Sequence, residues 1–220
     1  MKDRLKLLEA ILCLLLALGL TRLVLLIKFG PVAGYIDLIL AGIWLYLPAA
    51  FIWARKEGLK DFALLKLDLS QSLKWFLLTS ILIFPIFYLI GIIGAKKILG
   101  YHLQLTIPKN ILSLCLSQLL LISLPEEWFF RGYIQGRFNQ VLGKKWKFFP
   151  AQIGPGLFIA SALFCLSHFA IRQSPDRLMV FFPGLVFGWL REKTDSLVAP
   201  VLFHFLANLT FIIFQMSLLK

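Results

Sequence analysis

Two carboxylates, two imidazoles and one carboxamide lie in stretches of this 220-residue chain that are otherwise hydrocarbon. Glu126 and Glu127 close an apolar run that begins at Ile111, and Arg131 follows them. His168 and His204, two of only three histidines, also sit in apolar runs, with Asn208 one helical turn after His204. Ionisable side chains at membrane depth are costly and face a cavity or a partner. Glu127 and Arg131 are four apart with the acid first, the better order for a pair on one helix face. That pair holds Glu127 ionised and leaves Glu126, on the adjacent face, free for chemistry. His204 and Asn208, also four apart, share a face. Glu126 near His168 is placed to activate a water as general base. His204 and Asn208 are placed to donate hydrogen bonds to a developing oxyanion. Together they describe amide hydrolysis by an activated water, with no serine or cysteine nucleophile. Glu126, His168 and His204 are also an alternative ligand set for Zn²⁺ with a position left for water. The H-E-x-x-H signature of many zinc peptidases is absent, so the expectation is no cofactor, with zinc as the alternative.

Helix depth supports the same grouping. The apolar stretch that starts near Asn110 holds only about 15 residues before the acids, too few to cross a bilayer at 1.5 Å per residue. The helix must continue through Glu126 and Arg131 to about Phe138, which puts the charged motif inside the membrane. If it ends near Gly136, Glu126 lies about 15 Å from that face, His204 about 12 Å, Asn208 about 18 Å and His168 about 17–25 Å. Four polar groups on three helices then meet at one level. A polar cavity opening from that face between the fourth, fifth and seventh helices is expected.

The rest of the chain must supply those helices. It is 60% hydrophobic and 15% charged, the composition of a polytopic membrane protein. The fold class is all-α: a transmembrane helical bundle of about seven spans, near 7–28, 31–54, 74–95, 110–138, 153–171, 177–191 and 196–218. A transmembrane β-barrel is excluded because the apolar runs are continuous rather than alternating. The first run follows Lys2, Arg4 and Lys6, is too long for a signal-peptide core and lacks a clean cleavage site, so it reads as a retained helix. Residues 1–109 form N-terminal transmembrane helices with an amphipathic interfacial segment at 55–73. Residues 110–220 form the catalytic core. Asp37 stands alone in the second span, and Pro85 is positioned to kink the third. Gly184 and Gly188 have the spacing that lets helices approach closely. Cys13, Cys115 and Cys165 make no disulfide framework and read as small buried hydrophobes.

The net charge of +12 has no basic stripe on a soluble fold to carry it, so nucleic acid is not a partner. The Lys and Arg residues cluster between apolar spans, which suits orientation and anionic lipid headgroups. With the N-terminus grouped with the 55–74, 131–147 and 191–193 loops, 15 of the 23 fall on one side and 8 on the other. The positive-inside rule makes the first side cytoplasmic, with the N-terminus in and the C-terminus out.

Glu126-Glu127-x-x-x-Arg131 resembles the first motif of the CPBP family, which includes the type II CAAX prenyl endopeptidases and many bacterial Abi proteins. Phe164-x-x-x-His168 resembles its second motif and His204-x-x-x-Asn208 its last; Gly184 through Pro200 is similar to the linking glycine-rich helix and turn. The turn here is Thr194-Asp195-Ser196, where the family often has Thr-Gly-Ser. The resemblance covers about 110–212. It implies an intramembrane endopeptidase in which Glu126 and His168 activate the water, His204 and Asn208 stabilise the oxyanion, and Glu127 and Arg131 support them. The implied substrate is a membrane-anchored, lipidated or C-terminally tagged protein or peptide. Prenylated C-termini, bacteriocin-like peptides and the sorting tails of a myxosortase-like branch are the candidates. The short chain without large loops favours bacterial sorting or maturation, in the inner membrane, over CAAX processing. The rival reading is a non-catalytic membrane protein, either a proton-coupled transporter or a pseudoprotease scaffold. Against it, the inverted repeats common in transporters are not found, and all five polar positions are present.

Overall fold

The computed structural model describes residues 2–27, 30–62, 67–98 and 100–219. The described residues form seven helices: α1 (Lys2–Leu26), α2 (Ile36–Ala54), α3 (Leu69–Ile93), α4 (Ile111–Leu142), α5 (Pro155–Arg172), α6 (Phe181–Thr194) and α7 (Val198–Met216). In hydrocarbon every backbone polar group must be satisfied within the segment, and a helix does that. Six of the seven are long and apolar enough to cross a membrane; α6 is not. It has 14 residues, about 21 Å at 1.5 Å per residue, and ends on Arg191, Glu192 and Lys193. The span expected over 177–191 is therefore a helix of less than membrane length. A 3₁₀ turn over Pro175–Val180 precedes it.

Packing follows the logic of a lipid solvent. α1 buries Ala10, Cys13, Ala17 and Thr21 and exposes Leu8, Leu12, Leu15 and Leu23. Small residues on the inner face let helix backbones approach, and leucine faces lipid at no cost. The aromatic core lies around α4, whose residues Trp128, Phe129, Phe130, Tyr133 and Ile134 are fully buried.

Contacts between elements fix the two ends of the bundle. At one end Arg55 pairs with Glu9, and Glu57 takes both Lys6 (3.8 Å) and Arg137 (2.7 Å). These pairs join the start of α1, the segment after α2 and the C-terminal part of α4. At the other end β1 (His102–Leu103) pairs antiparallel with β4 (Leu218–Leu219). The connection between α4 and α5 is an antiparallel hairpin, β2 (Trp146–Phe148) with β3 (Ala151–Ile153).

Of the interfacial segment at 55–73, the described parts are a 3₁₀ turn over Leu59–Phe62 and the start of α3 at Leu69; 63–66 lie outside the described residues. Phe62 is fully buried, with its ring 5.8 Å from that of Tyr133. Asp37 is exposed in the first turn of α2, where a carboxylate suits the helix dipole. The three cysteines are free, Cys13 and Cys165 buried and Cys115 half-buried.

Candidate active site

α4 is not a regular helix. It widens into π turns over Gln118–Ser123 and Trp128–Ile134, with one α turn, Leu124–Glu127, between them. Pro125 removes a backbone donor at that point, and a local change of helical pitch accommodates the loss. π turns inside α-helices recur at functional sites because they re-aim side chains. Here they flank Glu126 and Glu127.

Glu127 is fully buried, and its Oε1 accepts hydrogen bonds from Arg131 Nη1 (3.0 Å) and from His204 Nδ1 (2.8 Å). The Glu127–Arg131 pair expected from spacing is thus present, and it also holds His204. The Arg131 guanidinium lies between the rings of Phe164 (4.3 Å) and Phe187 (5.0 Å), and its Nη2 donates to the Gly184 carbonyl (3.2 Å). Phe187 stacks on His204 at 4.7 Å and 17°; Phe164 meets His168 edge-on at 4.4 Å. The phenylalanine of the second motif therefore wedges His168 and Arg131 together.

The imidazole tautomers follow from their partners. His168 Nδ1 lies 3.0 Å from the Phe164 carbonyl, which only accepts. His204 Nδ1 faces Glu127 Oε1, the carboxylate oxygen that also accepts from Arg131. Both Nδ1 atoms therefore carry the proton, and both Nε2 atoms are turned to Glu126. Each Nε2 is 3.8 Å from Glu126 Oε2. Those separations are too long for direct hydrogen bonds and suit one bridging water. Glu126 Oε2 is buried and has no hydrogen-bond partner among the described residues. The side chains of Glu126 and His168 are 22% and 24% exposed, against 0% and 5% for Glu127 and His204. One acid–histidine pair is reachable from outside and the other is sealed.

Five of the six singled-out residues thus gather around one point: Glu126, Glu127, Arg131, His168 and His204. Asn208 stands one turn further along α7 and donates from Nδ2 to Gln118 Oε1 at 3.1 Å. Glu126, His168 and His204, the alternative zinc ligands, stand around a shared space, but no three His, Cys, Asp or Glu side chains among the described residues form a group able to hold a metal ion.

Sequence reasoning missed a second set. Gln135 Nε2 donates to the Gly188 carbonyl (3.0 Å) and to Glu192 Oε1 (2.6 Å), and Asn139 Nδ2 donates to the same oxygen (2.7 Å). Lys144 Nζ reaches Glu192 Oε2 at 2.5 Å. Arg131, Gln135 and Asn139 on α4 thus face Gly184, Gly188 and Glu192 on α6, both in steps of four. The two helices run parallel here, and the glycines let them approach: a Cβ on Gly188 would lie 2.8 Å from Gln135 Oε1. The four-residue spacing of both series was readable in the sequence. After α6 the chain turns at Asp195 with φ 49°, a left-handed conformation that asparagine and aspartate tolerate best after glycine. That accounts for aspartate at the position where glycine is frequent.

A groove of about 400 Å³ runs between the start of α4 and the end of α7, lined by Asn110, Ser113, Ser117, Ile212 and Met216 among others. It lies beyond Gln118 and Asn208, at the end of the bundle that carries β1 and β4.

A helical bundle with six membrane-length spans is an integral membrane protein, and this one carries a buried polar cluster. Residues 108–210 match the model of a family described as type II CAAX prenyl endopeptidase Rce1-like, in keeping with the resemblance to CPBP proteases drawn from its motifs. The match runs from just before α4 into α7. No curated protein and no solved structure matches the chain.

Proposed function

We propose that the chain is an intramembrane endopeptidase that hydrolyses a peptide bond of a membrane-anchored, lipidated or C-terminally tagged protein with a water activated by Glu126 and His168. The observation that carries this reading is Glu126 Oε2, buried without a hydrogen-bond partner among the described residues and 3.8 Å from the Nε2 atoms of both His168 and His204. A water between Glu126 and His168 gives up a proton to Glu126 as its oxygen attacks the substrate carbonyl carbon. The carbonyl oxygen becomes an oxyanion. His204, held through Nδ1 by Glu127, faces the oxyanion with Nε2 and donates when that nitrogen also carries a proton, and Asn208 supplies a second donor. When the carbon–nitrogen bond breaks, Glu126 returns its proton to the leaving amine. Glu127 and Arg131 keep their charges against each other in a dry site and hold His204 in place.

No cofactor is assigned, and no step is routed through a metal. The site is reached from within a bundle whose basic end, by the 15-to-8 charge bias, faces the cytoplasm of a bacterial inner membrane. Two reporter peptides test the reading in liposomes: one with a prenylated cysteine four residues from its C-terminus, one anchored by a saturated acyl chain. The wild type is expected to cleave at least one of them, as mapped by mass spectrometry, with cleavage lost in His168→Ala. If neither reporter is cut, or the histidine variant cuts as well as the wild type, the reading is wrong.

A further inference from the structure

Gln118 is one of the buried polar side chains of α4 that the mechanism above does not use. Gln118 is only 9% exposed, and the partner of its Oε1 is the Nδ2 of Asn208, at 3.1 Å. On a regular helix Gln118 and Glu126, eight residues apart, would stand about 80° from each other around the axis. The π turn over Gln118–Ser123 absorbs one extra residue and brings that angle to about 20°. Gln118 therefore shares a face with Glu126, two turns away, and α7 presents His204 and Asn208, one turn apart, to that face.

A carboxamide has a donor end and an acceptor end. An asparagine with no partner can turn its oxygen toward a developing oxyanion and repel it. Gln118 Oε1, which only accepts, holds the NH₂ end of Asn208 on the α4 side. One N–H is used there and the second is left for the substrate. We infer that Gln118 is a positioning residue: it fixes the carboxamide of Asn208 with its donor end toward the scissile carbonyl. The inference rests on the oxyanion role given to Asn208 above. It assigns Gln118 no contact with the reacting atoms.

The test is a kinetic series on whichever reporter the wild type cleaves. Gln118→Ala is expected to lower kcat roughly 10- to 100-fold with KM nearly unchanged, the signature of an interaction made in the transition state. Gln118→Glu keeps an acceptor oxygen and should recover most of kcat. Gln118→Ala combined with Asn208→Ala should be no slower than Asn208→Ala alone, because both remove the same donor. A merely structural glutamine would behave otherwise: Gln118→Glu would be the worse variant, and the double variant would show multiplied losses. Gln118→Met, close in volume, replaces the alanine variant if that one does not fold. Glu126→Gln run beside them separates the two levels. An active Glu126→Gln protein overturns the mechanism itself. An inactive one beside Gln118→Ala at wild-type kcat overturns only the role of Gln118.

Discussion

Glu127 is held at once by an arginine four residues on and by a histidine from another helix. Removing a partner from a fully buried ion pair leaves an uncompensated charge, at a cost of about 3–5 kcal/mol. Glu127→Gln is therefore expected to lower the unfolding temperature in detergent sharply, while Glu126→Gln, which breaks no hydrogen bond seen here, leaves it near the wild-type value. Equal thermal stability for the two variants would contradict the division of labour between the adjacent acids. Zinc is tested at the same scale. Extensive chelation should leave cleavage intact, with well under one equivalent of zinc in the purified protein; stoichiometric zinc lost and regained together with activity would transfer water activation to a metal. The Glu127–Arg131 pair was legible in the sequence because four-residue spacing is a local property of a helix. The Gln118–Asn208 bond was not, because it depends on π turns that move Gln118 to a different face and on the register of α4 against α7.

α4 and α6 run parallel and meet through side chains on one and bare backbone on the other. Gly188 is where that approach is closest to forbidding any side chain: an added Cβ would lie 2.8 Å from Gln135 Oε1 and 3.0 Å from Leu157. Gly188→Ala should cost about 1–3 kcal/mol by overpacking and should also reduce cleavage, since Gln135 and Arg131 share that face. Gly19 in α1 has nothing within 4 Å of the same built atom. Gly19→Ala should leave stability unchanged or raise it by up to about 1 kcal/mol. Thermal unfolding of the two variants side by side checks the pair, and equal losses would deny the close α4–α6 contact. Helix positions were largely legible from uninterrupted apolar runs. α6 was read as a span because its glycine-rich apolar start hides how soon the charged end follows. The burial of Phe62 against Tyr133 of α4 is a tertiary contact that the alternating lysines and leucines before α3 do not encode.

The molecule turns leucine outward and small residues inward along α1, and ion pairs bring Lys6, Arg55 and Arg137 together at the end where α1 begins. If that end faces the cytoplasm, a phosphatase fused after the C-terminus, beside β4, should be active outside the inner membrane, and a fluorescent protein fused there by the same export route should stay dark. The reverse pattern would invert the orientation drawn from charge. The catalytic claim is independent of that orientation and stands on a single carboxylate. Its most direct test is the cleavage rate of purified Glu126→Gln at saturating reporter, relative to the wild type, with folding checked by thermal unfolding. A folded variant slower by at least about 100-fold, the scale on which a general base contributes, is the result predicted. A folded variant that retains more than a few per cent of the wild-type rate would contradict it.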